Sequence, residues 1–193
     1  MRSALKIIQI EHRNLATVLL GLRSLVDGVR ESRRKPDFTV LRAIVHYIDT
    51  FPEKLHHPKE DGYLFARLRQ QTTMANSVLD QLEAEHIHGK KLIRDLEQAL
   101  LRWETRGQQD FAAFDQEAER YEHFQWRHMR QEEELVLPLA ERVLTEEDWR
   151  EIDAAFASNA DPLIAKDLEK DSEQLFKRLV NIASLPIEVA RDN

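Results

Sequence analysis

Apolar residues recur at helical spacing along four long stretches of the chain. In the first, Leu5, Ile8, Leu15, Leu19, Leu22, Val26 and Val29 fall on one stripe. It fades into charged residues at 31–35, and Pro36 bars simple continuation. A second helix is expected from about Asp37 to about Gln70, its stripe taking in Leu41, Val45, Ile48, Leu64 and Leu68. Pro52 and Pro58 lie inside it, so the spacing predicts a kink or short break there. The third, from about Thr72 to about Trp103, carries Ala75, Leu79, Leu82, Ile93, Leu96 and Leu100 on one face, and Gly107 lies just beyond it. The fourth, from about Asp110 to about Val143, has Phe111, Phe114, Ala118, Tyr121, Leu135 and Leu139 in register. Thr145 with Asp148 reads as a capping box opening a short helix to about Phe156. Asp161-Pro162 reads as a cap followed by Pro at the first helical position, opening a last helix to about Ser184.

These elements predict an all-α chain. Four long helices with short joints favour an antiparallel up-down four-helix bundle over residues 1–144. Two additional C-terminal helices, residues 145–193, are expected to pack on its outside or at one end. Charged residues make up 33% of the chain, with only 5 Gly and 6 Pro, which suits solvent-facing helices better than a sandwich or barrel. No apolar run approaches a membrane span, and Glu11 and His12 interrupt the stretch a signal peptide would need. The absence of Cys removes thiolate metal sites and thiol nucleophiles, and leaves cytoplasm as the default compartment. Residues 145–193 hold 12 acids and 6 bases, a net of −6 out of −7 for the whole chain. Neither part has the positive surplus expected of a nucleic-acid binder, and Arg33-Arg34-Lys35 reads as a loop at a helix end.

The informative residues interrupt the apolar stripes. His12 lies between Ile8 and Leu15, and His86 follows Leu82 by one turn. His56 and Glu60 stand between Ile48 and Leu64, while His128 and Glu132 continue the face of Tyr121. Each of four helices thus points an imidazole at one core, and two add a carboxylate one turn away. A lone histidine on an apolar face is usually a hydrogen-bonded core residue. Buried carboxylates are costly unless paired, and a cation supplies the compensation.

The pattern repeats within the chain. His12 and His86 are 74 residues apart, while His56–His128 and Glu60–Glu132 are each separated by 72. Two similar hairpins, each giving two His and one Glu, suggest two metal ions. Nitrogen and carboxylate donors without sulfur suit iron, manganese or zinc. A redox-active pair of iron ions fits best, with positions left open for water or a small diatomic. His57 with Asp61 offers a register displaced by one residue, but His56/Glu60 aligns with His128/Glu132 and is preferred. His88 and His123 fall off the stripes and are expected at the surface or behind a ligand. His46, beside Val45, is expected to be structural.

These features resemble the hemerythrin family in its His-His-Glu cation-binding branch. The resemblance rests on Glu11-His12, His56-x-x-x-Glu60 with Leu64-Phe65, Glu85-His86-x-x-Gly89, and His128-x-x-x-Glu132 with Pro138. It implies a four-helix bundle around a non-haem di-iron site, with His12, His56, Glu60, His86, His128 and Glu132 as ligands. Glu85 could support a ligand histidine. Two departures from the oxygen carriers stand out. Lys90 occupies the place of their second third-helix His, and Glu132 follows His128 by four residues where theirs is an Asp at five. The resemblance therefore points away from simple oxygen carriage, toward iron or oxygen sensing or redox stress. Lys90 is expected at the bundle rim, solvated, with a place near a bound anion as the other reading.

A ferritin-like carboxylate site is the nearest rival on this architecture. Glu53-x-x-His56 and Glu83-x-x-His86 match its pattern, but Gln125 and His12 stand where it needs carboxylates. Three functions follow from the sequence: a non-catalytic protein binding oxygen, a related diatomic or iron; a redox enzyme on the same centre, breaking down peroxide or delivering iron to damaged clusters; and a metal-free helical scaffold whose acidic helices bind a partner.

Overall fold

The computed structural model describes residues 2–158. The expected helix from Asp161-Pro162 to Ser184 lies outside the described residues. Everything described is helix, turn or connecting chain, with no strand among the described residues. Helix α1 (Ser3–Arg30) ends where the chain turns through Ser32, at φ 56°, into the basic loop before Pro36. Asp37 caps α2 (Phe38–Thr50), its carboxylate accepting the Val40 N–H at 3.1 Å.

Beyond Thr50 the expected break takes a specific form. Pro52 has no N–H to continue the ladder, and the Leu55 and His56 N–H groups both bond to the Phe51 carbonyl, at 2.9 and 3.0 Å. The turn widens into a π-helical stretch, Pro52–His56. One α-turn follows, α3 (His57–Lys59), then a second π-helical stretch, Glu60–Phe65, and α4 (Ala66–Gln71). Helix α5 (Asn76–Arg106) stops at Gly107, whose φ of 87° suits glycine. A 3₁₀ turn leads into α6 (Phe111–Gln131), which widens into a third π-helical stretch, Glu132–Val136, before α7 (Leu137–Val143). Helix α8 (Glu146–Ala157) opens with the capping box: Thr145 Oγ1 accepts the Asp148 N–H at 3.2 Å, and Asp148 Oδ2 accepts the Thr145 N–H at 2.9 Å.

The stripes bury as expected, with one exception. Leu135 is 54% exposed, while Val136 and Leu137 are buried. The π-turn beginning at Glu132 inserts an extra residue and moves the inward face on by one.

The buried apolar side chains form two clusters. The first joins α1 from Leu15 onward with α2, the later part of α5 and α6, and centres on Trp103, stacked on Phe114 at 5.0 Å. The second joins Ala4, Leu5 and Ile8 with Leu64, Phe65, Leu79, Leu82 and Val136. Along α1 the chain passes from the second cluster to the first; α2 through α4 returns, α5 crosses again, and α6 through α7 returns. Each fully buried large side chain contributes roughly 1.5–3 kcal/mol. Trp149, Ile152 and Phe156 of α8 belong to the second cluster, and Asp153 Oδ1 accepts the Ala4 N–H at 2.6 Å, satisfying a donor of the first turn of α1. The 145–158 segment is therefore built into the core at one end. Between the two clusters, on all four crossings, lie buried polar residues.

Candidate metal centre

The polar layer contains the six residues singled out by the sequence. His12 comes from α1, His56 and Glu60 from the widened part of the second segment, His86 from α5, and His128 and Glu132 from α6 and its π-turn. All six are at most 4% exposed. Glu60 and Glu132 each stand at the first residue of a π-helical stretch, so the repeat in sequence is also a repeat in backbone form. Such widened turns gather at functional sites.

The two carboxylates lie between two sets of imidazoles. Glu60 Oε1 faces His56 Nε2 at 3.2 Å and His12 Nε2 at 4.0 Å, while its Oε2 faces His86 Nε2 at 3.6 Å. Glu132 Oε2 faces His12 Nε2 at 3.4 Å, and its Oε1 faces His128 and His86 at 3.2 and 3.6 Å. Each carboxylate thus offers one oxygen to the His12/His56 side and the other to the His86/His128 side. None of these four oxygens has a hydrogen-bond partner, nor does His12 Nε2. His86 Nε2 and His128 Nε2 are 3.0 Å apart. Two imidazole nitrogens about 2.1 Å from one cation, at a right angle, would stand about 3.0 Å from each other.

A carboxylate stands behind each of these imidazoles. His12 Nδ1 contacts Glu133 Oε1 at 2.9 Å, and His56 Nδ1 contacts Glu11 Oε2 at 2.6 Å. His86 Nδ1 contacts Asp61 Oδ1 at 2.7 Å, and His128 Nδ1 contacts Glu85 Oε2 at 3.0 Å. With Nδ1–H donating outward, each Nε2 lone pair is turned inward, the arrangement that orients metal-binding histidines.

Without a cation, these contacts favour imidazolium. Burial lowers the His56 pKa, but Glu60 and Glu11 outweigh it and raise it to about 10. Burial likewise opposes Glu132 and Glu85 at His128, which still rises to about 10. His86 reaches about 9 through Asp61 and Glu132, and His12 is raised by Glu132 and Glu133, again against burial. Burial pushes the Glu132 carboxyl up, yet His128 and His12 hold it well below the usual range. The carboxylates around the pocket therefore favour positive charge within it.

The structure places His57 inside along with the preferred His56. The π-turns bring both inside: His57 is 3% exposed, stacked on His86 at 4.2 Å, with Nδ1 3.4 Å from Glu53 Oε2. Donor atoms of His57, Glu60, His86 and His128 all lie within 4.8 Å of one another, as do those of His12, His56 and Glu60. His57 alone among the five has its pKa lowered well below the ordinary value, by burial and by His86 and His128. Asp61, its expected partner, instead backs His86. Lys90, His88 and His123 are exposed. His46 is exposed too, lining a surface groove with Arg42 and Glu97 rather than supporting the core. Glu83 pairs with Arg69 at the edge of the protein, at 3.0 Å, and Glu53 bonds Tyr121, so a ferritin-like carboxylate set does not assemble.

Nitrogen and oxygen donors, deep burial and carboxylate oxygens without hydrogen bonds fit hard or intermediate cations. A pocket of about 230 Å³ between α1 and α6, lined by His12, Ala16, Trp126, Met129 and Glu133, borders His12. No helix among the described residues is long and apolar enough to cross a membrane. Residues 3–140 match the family described as Hemerythrin HHE cation binding domain. No curated protein matches the chain.

Proposed function

The chain belongs to the Hemerythrin HHE cation binding domain family, and on that premise we propose that it holds two iron ions and binds or senses oxygen, a related diatomic or iron itself. In this reading the four long segments run antiparallel, up and down, and carry the centre at mid-height. His12 and His56 would hold one ion and His86 and His128 the other, with Glu60 and Glu132 supplying carboxylate oxygens between them. The observation that carries the reading is the pair of buried carboxylates whose four oxygens have no hydrogen-bond partner and face imidazoles on both sides. Zinc or manganese would fit the same donors.

Two iron ions supply one-electron redox chemistry and positions open to a small ligand. The protein's own residues do the rest. Glu11, Glu133, Asp61 and Glu85 orient the imidazoles, and the apolar clusters above and below exclude bulk water. In this reading a small diatomic or peroxide would bind at positions on the ions that the protein side chains leave open. A redox enzyme breaking down peroxide, or delivering iron to damaged clusters, would use the same centre.

Elemental analysis with an optical spectrum of iron-loaded protein tests the reading. About two irons per chain and a near-ultraviolet charge-transfer band are expected; no bound iron would overturn it. Stopped-flow spectra with oxygen or nitric oxide, set against peroxide turnover, separate binding from catalysis.

A further inference from the structure

The geometry points to His57 as a fifth imidazole donor to the metal pair, on the His86/His128 side, with Glu53 as the positioning residue that holds it there. This rests on the two-metal reading above and adds a residue to it.

Four imidazoles share one arrangement, with Nδ1 on a carboxylate and Nε2 toward the centre. His57 has the same parts. Its Nδ1 is 3.4 Å from Glu53 Oε2, and neither atom has a hydrogen-bond partner. Its ring lies face to face with His86, 9° from parallel, and edge-on to His128 at 5.2 Å. With Nδ1 turned to Glu53, Nε2 is the nitrogen left to join the donor group with Glu60, His86 and His128. Lys90, one turn past His86, is exposed.

Glu53 is set in place with care. It is fully buried and accepts hydrogen bonds from Tyr121 Oη–H at 3.0 Å and Gln125 Nε2–H at 3.4 Å, while Gln125 also donates to Tyr121 Oη at 2.7 Å. Gly89 leaves room for it, since a Cβ there would lie 2.8 Å from Glu53 Oε1. A buried carboxylate beside a buried imidazole is expensive as a purely structural pair. A cation on the far side of His57 gives both a reason, because the carboxylate then strengthens and orients a ligand. The two sides of the centre become unequal, with His12 and His56 on one and His57, His86 and His128 on the other.

Proton NMR of the full chain loaded with cobalt(II) counts coordinated imidazoles through their strongly shifted, exchangeable Nδ1–H signals. Five such signals are expected, and His57→Gln should remove one while leaving the far-ultraviolet circular dichroism unchanged. Glu53→Gln should weaken binding of one of two cobalt ions by about 10–100-fold, and titration with cobalt(II) reads this directly. Four signals in the parent, or a His57→Gln variant with unchanged signals and affinity, would overturn the assignment of His57 and leave the two-metal reading intact. A parent that binds no cobalt and shows no shifted signals would overturn both. If His57→Gln does not fold, the count in the parent and the Glu53→Gln titration decide the matter.

Discussion

Substituting Gly89 by alanine sets two effects of opposite sign against each other. An alanine in a helix interior is favoured over glycine by about 1 kcal/mol. At position 89, however, the new Cβ would sit 2.8 Å from Glu53 Oε1, 3.1 Å from Oε2 and 3.2 Å from Phe124 Cε1. A surface carboxylate would swing away at little cost. Glu53 is fully buried and bonded to Tyr121 and Gln125, so moving it strains or breaks those bonds. Overpacking costs about 1–3 kcal/mol, and a lost hydrogen bond to a buried charged group about 1–3 kcal/mol more. The net expectation is a loss of about 1–5 kcal/mol, or roughly 2–20 °C in Tm for a chain of this size. Gly62 is the control: it lies in the widened turn, exposed, with nothing within 4 Å of a new Cβ. Gly62→Ala should be neutral or stabilising by up to about 1 kcal/mol. Thermal unfolding of metal-free protein, followed by circular dichroism, measures both. A Gly89→Ala variant as stable as Gly62→Ala would refute the view that Glu53 is locked in place.

The other expectations concern the centre and its end cap. His56→Ala and His128→Ala should each halve or abolish iron content while leaving helix content largely intact; elemental analysis reads the first and circular dichroism the second. Iron uptake should strengthen as pH rises from about 6.5 toward 9–10, because His56, His86 and His128 hold protons that a cation must displace. In metal-free protein the sign reverses: these raised pKa values give stability that is complete below about 6.5 and lost as pH rises through 9–10, which denaturant melts across pH would show. The lowered Glu132 pKa adds stability above about 4.5 that disappears in acid. Phe156→Ala should cost about 3–5 kcal/mol in the same melts, since its buried ring packs edge-on against His56 at 6.3 Å and beneath Lys59 Nζ at 4.9 Å.

Most of the apolar pattern could be read from the chain because helical periodicity holds wherever the helices are regular. The stripes of α1 and α5 and the capping box at Thr145 needed nothing beyond local spacing. Periodicity failed where the backbone left the α form. The π-turn at Glu132 put Val136 where Leu135 was expected, and the turns around Pro52 and Pro58 carried His56 and His57 inward together. The prolines signalled a break, but a constant 100° step could not express its consequence, an extra residue per turn. The candidate ligands converge in spite of this because the same deviation occurs in both hairpins. The carboxylates behind the imidazoles were harder to find. Glu85 backs His128 rather than its neighbour His86, and Glu11 backs His56 rather than His12. These pairings cross between helices and depend on tertiary placement that no spacing along one helix encodes. The Glu53–His57 pair did leave a local trace, as two residues one turn apart flanked by Pro52 and Pro58.

X-ray absorption at the iron edge of loaded protein tests the central claim most directly. The account predicts nitrogen and oxygen neighbours only, an imidazole scattering pattern and a second iron roughly 3–4 Å away. An isolated iron with no metal neighbour, or iron surrounded by water oxygens alone, would contradict it.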